Sequence, residues 1–252
     1  MDQQLQVAPI AVALDAPDVR TVRRWASEVA PSVACLKVGL EAFCRDGHMS
    51  IVAAREGASE ADRPDIDIFL DLKLHDIPAT VAGAARSLKP LRPTYVTVHA
   101  AGGPEMIEAA VQTLPDTFIT AVTVLTSLDS ATMKSLGIVG SLPEIVVRWA
   151  QVAIDAGARA LVCSPHEVAA VRASVGPDIR LITPGVRPAG AEVHDQRRSA
   201  TPRQALDDGA DLLVIGRPIT GHDNPAAAAS DIAKECGQKH SPTVTGSTDG
   251  SQ

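Results

Sequence analysis

Apolar residues gather along the chain in eight short runs, over 10–15, 34–39, 66–73, 95–99, 118–125, 160–164, 179–185 and 212–217. The runs are rich in Val, Ile, Leu and Ala, and most end in a polar residue or a glycine. Such runs suit strands buried on both faces. Between them the spacing turns helical. Residues 18–30 put Val19, Val22, Ala26 and Val29 on one side, and helices are also predicted over 41–57, 78–88 and 104–114. A longer connection with Gly137, Gly140 and Pro143 leads into a helix ending near Ala156. Another starts at Pro165, Thr201-Pro202 caps a short one, and the last covers 225–235.

Eight strands alternating with eight helical segments, with no linker-like break, predict a single α/β domain over 1–236, folded as a closed (β/α)8 TIM barrel. A doubly wound open sheet is the alternative, but no GxGxxG follows the first strand. Residues 237–252, rich in Ser, Thr and Gly without apolar period, are expected to form a disordered tail.

Active sites of such barrels form at the C-terminal ends of the strands. Here those ends carry Asp15, Lys37, Asp71 with Lys73, His99, Thr126, Ser164, the loop after Gly185, and Gly216-Arg217. Residues two apart in a strand share a face, so Asp71 and Lys73 stand side by side while Leu72 points away. Taken alone, that pair reads as a salt bridge capping a strand; its repetition around one rim favours a binding site. The loops after strands seven and eight form the usual phosphate site of this barrel. Arg187 and Gln196 in the first and Gly216-Arg217 in the second suit a phosphorylated ligand, because Arg matches phosphate oxygens and Gly admits close backbone N–H groups. The plainer alternative for 186–200 is a solvated loop. His75 and His99 are given no catalytic role.

Composition narrows the partners. Hydrophobic residues make up 45% and aromatics only 2%, so the core must be built from aliphatic side chains. A net charge of -7 argues against a nucleic-acid or anionic-membrane surface but leaves room for a local basic pocket. No stretch approaches the ~18 apolar residues of a membrane span, and the N-terminus lacks a signal-peptide pattern. Cys35, Cys44, Cys163 and Cys236 have no metal-binding spacing. A soluble, cytoplasmic protein without a structural metal is expected.

With these residues in place, the chain resembles the orotidine 5′-phosphate decarboxylase family, in the wording of its bacterial monofunctional members, over residues 9–235. The resemblance rests on Asp71-x-Lys73-x-x-Asp76-Ile77-Pro78-x-Thr80, Leu36-Lys37-Val38-Gly39, Val98-His99-Ala100 and the run ending in Thr126. Further on, Thr183-Pro184-Gly185-Val186-Arg187-Pro188, Asp195-Gln196-Arg197-Arg198, Thr201-Pro202 and Val214-Ile215-Gly216-Arg217-Pro218-Ile219 also fit.

The resemblance implies decarboxylation of orotidine 5′-phosphate to UMP, in de novo pyrimidine biosynthesis, by a homodimer with shared active sites and no cofactor. Lys73 would protonate C6, Asp71 would face the substrate carboxylate, and Asp76 would arrive from the partner subunit. Lys37, Asp15 and Thr80 would contact the ribose, Ile77 would lie with the substrate-binding residues, and Thr126 would hold the pyrimidine edge. Gln196 would bridge base and phosphate, with Arg187, Gly216 and Arg217 at the phosphate. Two alternatives stay open: an Mg2+-dependent sugar-phosphate decarboxylase or aldolase of the same barrel suprafamily, and a non-catalytic nucleotide-binding barrel. Ile77-Pro78, Thr126 and Gln196 argue against the first.

Overall fold

The apolar runs fold as eight parallel strands that close in chain order, the first pairing with the last. The computed structural model describes residues 7–187 and 200–237. The strands are β1 (Ala8–Ala13), β2 (Val33–Gly39), β3 (Asp67–Leu74), β4 (Tyr95–His99), β5 (Phe118–Val122), β6 (Ala160–Val162), β7 (Arg180–Pro184) and β8 (Leu212–Ile215).

Alternation along the strands sorts side chains into two apolar layers. Val12, Leu36, Val38, Ile68, Leu70, Val96 and Val98 face the helices in the larger core. Ala11, Cys35, Phe69, Tyr95, Ala160, Ile182 and Leu212 form a smaller cluster of their own, with Phe118 packed against it. The period of two has a functional consequence. Continuing inward from Cys35, Phe69 and Tyr95 brings Lys37, Asp71 with Lys73, and Thr97 to the same face one step nearer the C-terminal rim.

The surrounding helices are α1 (Val19–Val29), α2 (Leu40–Asp46), α3 (Met49–Glu60), α4 (Pro78–Leu88), α5 (Pro104–Thr113), α6 (Ser130–Ser135), α7 (Leu142–Asp155), α8 (Val168–Val175), α9 (Pro202–Asp207), α10 (Arg217–Thr220) and α11 (Pro225–Gly237). Their starts follow local chemistry. The Asp18 carboxylate accepts from Thr21 N at 2.8 Å, Thr201 Oγ1 accepts from Gln204 N at 3.2 Å, and Ser141 with Glu144 forms a capping box. Pro78 and Pro104 occupy the first helical positions of α4 and α5, where a missing N–H costs nothing.

Several boundaries differ from the sequence expectation. The helix foreseen over 41–57 is two, because Gly47 takes φ 59° and donates to Phe43 O at 2.7 Å, closing α2 before α3 begins. The helix expected from Pro165 starts at Val168, and the Glu167 carboxylate before it accepts from Ser164 N at 3.0 Å. β5 ends at Val122 and β8 at Ile215, so Thr126 and Arg217 stand just beyond the strands. Val186 and Ala200 are joined by a β-bridge, with Arg187 N donating to Ala200 O at 3.0 Å. Gln196 lies outside the described residues, as does the expected tail beyond Gly237. Cys35, Cys44, Cys163 and Cys236 are free thiols. Among the described residues no helix is long and apolar enough to cross a membrane.

Candidate active site

At the C-terminal rim, β2 and β3 bring two ammonium groups onto one carboxylate. Lys37 Nζ lies 2.9 Å from Asp71 Oδ2, and Lys73 Nζ lies 2.8 Å from Asp71 Oδ1. The side chains of Asp71, Lys37 and Lys73 are 8%, 12% and 29% exposed, so the array is mostly withdrawn from water. Burial opposes ionisation of Asp71, but the two lysines and their hydrogen bonds outweigh it and hold the carboxyl at about 2. The group is therefore a fixed anion at neutral pH.

The Lys73 backbone is unusual, with φ 52° in the left-handed region where a lysine is strained. The β3–β4 ladder loses register there: Leu70 pairs with Val96, and the next pair is Leu74 with Val98. Leu72 and Leu74 still pack against the outer core, so the alternation expected for Asp71, Leu72 and Lys73 holds. Buried Thr97 on β4 meets the bulge, accepting from Lys73 N at 2.8 Å and donating to Asp71 Oδ1 at 2.9 Å.

Asp15 follows β1 and stands near Lys37. A Cβ built on Gly39 would lie 2.8 Å from Asp15 Oδ1 and 3.0 Å from Lys37 Nζ, so an added methyl group would press on the ends of both side chains.

A cavity of about 360 Å³ opens over this array. Asp15, Lys37, Asp71, Lys73, Thr126, Arg187, Gly216 and Arg217 all line it. Val122, Val124, Val162, Cys163 and Val214 supply its apolar lining, and Phe69 also lines it. Charge from the β1–β3 side, an apolar wall from β5, β6 and β8, and arginines beyond β7 and β8 suit a ligand with a flat ring and an anionic end. Burial, with a smaller push from Glu167, raises the Cys163 thiol to about 12, so it stays protonated as a small apolar group.

Asp76, Ile77 and Thr80 stand apart from that cavity. They are exposed, Ile77 at 65%, and Asp76 and Ile77 line a separate shallow groove with His75, Pro78 and Glu105. The Asp76 carboxylate accepts from Ile77 N at 2.7 Å. His99 pairs with His75 at 5.3 Å between ring centroids. Burial, then the charges of His75 and Lys73, lowers the His99 pKa. Ser164 is buried and is not part of the cavity lining. Among the described residues no group of three or more His, Cys, Asp or Glu is placed to hold a metal ion. Sequence reasoning missed Thr97, whose one signal was a hydroxyl amid the apolar residues of Tyr95–His99, and gave Gly39 no role of its own.

Fold and cavity together define a (β/α)8-barrel protein with a charged site on the face where barrels of this kind carry their chemistry. Residues 8–232 match the sequence profile of the Orotidine 5'-phosphate decarboxylase / HUMPS family. The chain is 61% identical over 228 residues to an orotidine 5'-phosphate decarboxylase of Thermobifida fusca, covering 90% of this chain and 95% of that one. It is 54% identical over 237 residues to one of Frankia casuarinae, covering 90% and 86%. Its backbone resembles the crystal structure of orotidine 5'-phosphate decarboxylase from Lactobacillus acidophilus, with TM-score 0.76, 33% identity, and coverage of 92% of this chain and 100% of that one. The chain belongs to the orotidine 5'-phosphate decarboxylase / HUMPS family.

Proposed function

We propose that the chain converts orotidine 5′-phosphate to UMP and CO2 without a cofactor, in de novo pyrimidine biosynthesis. The observation that carries the reading is the buried Asp71 carboxylate fixing Lys37 and Lys73 at 2.9 and 2.8 Å on the wall of a nucleotide-sized cavity.

Breaking the bond from C6 to the carboxylate leaves an electron pair in an in-plane orbital that the ring cannot delocalise. The Lys73 ammonium, held by Asp71, stabilises that developing charge and then transfers its proton to C6; the neutral amine regains a proton from solvent. Asp71 faces the departing carboxylate, and their repulsion falls as CO2 leaves. Asp15 and Lys37 hold the ribose, and Thr126 takes the pyrimidine edge against the apolar wall. Arg187, Gly216 and Arg217 bind the phosphate, and Gln196 is assigned to base and phosphate by the family resemblance alone. Phosphate binding far from C6 provides free energy for ordering and drying the site.

Asp76, Ile77 and Thr80 act in the site of a second copy, in a cytoplasmic homodimer. Their exposure on an edge separate from the cavity supports that reading. Mixing Asp76→Asn with Lys73→Ala protein tests it: partial recovery of activity is expected, and none would contradict shared sites.

The direct test is loss of orotidine 5′-phosphate absorbance with purified protein in EDTA. Turnover unaffected by chelation is expected; turnover that requires added Mg2+ would favour the metal-dependent alternative. Arg217→Ala should cut kcat/KM for the phosphorylated substrate by about 10²-fold while changing free orotidine little. Equal losses on both would remove Arg217 from the phosphate site.

A further inference from the structure

The strained Lys73 backbone lies where the β3–β4 ladder loses register. Between the pairs Leu70–Val96 and Leu74–Val98, β3 holds three residues and β4 only Thr97. Lys73 sits in this bulge at φ 52°, and its N–H donates to the Thr97 hydroxyl at 2.8 Å. A hydroxyl offers one donor and two acceptor sites. Thr97 uses both kinds, because its own proton goes to Asp71 Oδ1 at 2.9 Å, the same oxygen that receives Lys73 Nζ.

We propose that Thr97 is a positioning residue, closing a ring from the Lys73 backbone through the Thr97 hydroxyl and Asp71 Oδ1 to the Lys73 ammonium. The inference rests on the decarboxylase reading above and extends it to a residue outside the cavity lining. Thr97 is 0% exposed, and a β-branched side chain has few rotamers, so the hydroxyl is fixed in place. Asp71 alone fixes the ammonium at one point. The ring fixes the lysine at both its ends. Displacing a reacting group by about 1 Å can cost on the order of 10²-fold in rate, so the ring acts on turnover more than on binding.

Thr97→Val keeps the shape and removes the hydroxyl; Thr97→Ser keeps the hydroxyl. The Val variant should lose about 10- to 100-fold in kcat with KM and UMP affinity changed by less than about threefold. The Ser variant should recover to within about threefold of the parent kcat. Should Thr97→Val fail to fold, Thr97→Ala supplies the hydroxyl-free comparison. A folded Val or Ala variant with parental kcat overturns the proposal, as does a folded Ser variant as slow as Val. Losses confined to KM or to thermal stability also overturn it. If the unmodified chain does not decarboxylate orotidine 5′-phosphate, the underlying reading fails; if it does and Thr97→Val matches it, only the Thr97 role fails.

Discussion

The two ends of the barrel are made from the same strands and solve opposite problems. At the N-terminal end Tyr95 and Phe118 stand 5.3 Å apart between centroids, and Phe69, which reaches up to the cavity, meets Tyr95 edge-on at 5.7 Å. Arg159 lies over Phe118 at 4.7 Å while donating to the carbonyls of Pro115 and Thr117, both at 3.0 Å. Aromatic contact, cation–π attraction and a ladder in register reinforce one another there. At the C-terminal end the same alternation delivers charges instead, with a broken register and a lysine in a left-handed conformation. Such strain persists only when neighbours over-determine it, and it gathers where function needs a fixed geometry. The lower end holds the barrel together, and the upper end uses that rigidity to keep two ammonium groups beside one carboxylate.

That division can be broken most severely at Asp71, the group on which both lysines converge. Asp71→Ala should lower kcat/KM by at least about 10²-fold and cost up to roughly 3 kcal/mol, because it leaves two largely buried cations without their anion. Steady-state kinetics and urea denaturation read the two effects. The pH dependence follows from the same group. Its pKa is depressed in the folded state, so its contribution to stability is full above the unfolded carboxylate value and is lost as pH falls toward 2. That contribution is roughly 2–3 kcal/mol, and the stability difference between parent and Asp71→Ala should shrink between about pH 4 and pH 2.

Phe118→Ala probes the other end. It should cost about 2–3 kcal/mol in urea denaturation while kcat stays within about twofold, since its contacts lie at the far end of the strands. A large fall in kcat in the folded variant would show that the two ends are not separable. Gly39→Ala makes the smallest expected change, a single methyl group pressed against Asp15 and Lys37. A drop of about tenfold in kcat/KM with a nearly unchanged melting temperature is expected; a normal rate would mean the array yields without cost.

The sequence was most legible where one physical rule acted locally. Strands buried on both faces must be apolar throughout, so eight runs stood out and their closure followed from count and length. The charged rim was legible through repetition: a single strand-end pair such as Asp71 and Lys73 reads as a salt bridge, and only polar residues at one strand end after another suggest a site. What escaped depends on contacts between distant segments. Thr97 matters only because β3 bulges opposite it, and nothing local in Tyr95–His99 reports a bulge in Asp67–Leu74. The break at Gly47 was hidden because apolar spacing continues from Phe43 into Ile51 and Ala54. Asp76 and Thr80 adjoin the array in sequence yet are exposed and outside its cavity lining.

On the proposed mechanism, the lysine held at the strained rim carries out the chemistry while the rest of the site binds. Lys73→Ala tests it most directly, by turnover of orotidine 5′-phosphate measured beside UMP binding on the same preparation. Turnover should fall by about 10⁴-fold or more while UMP still binds. A folded Lys73→Ala protein with near-parental turnover would contradict it.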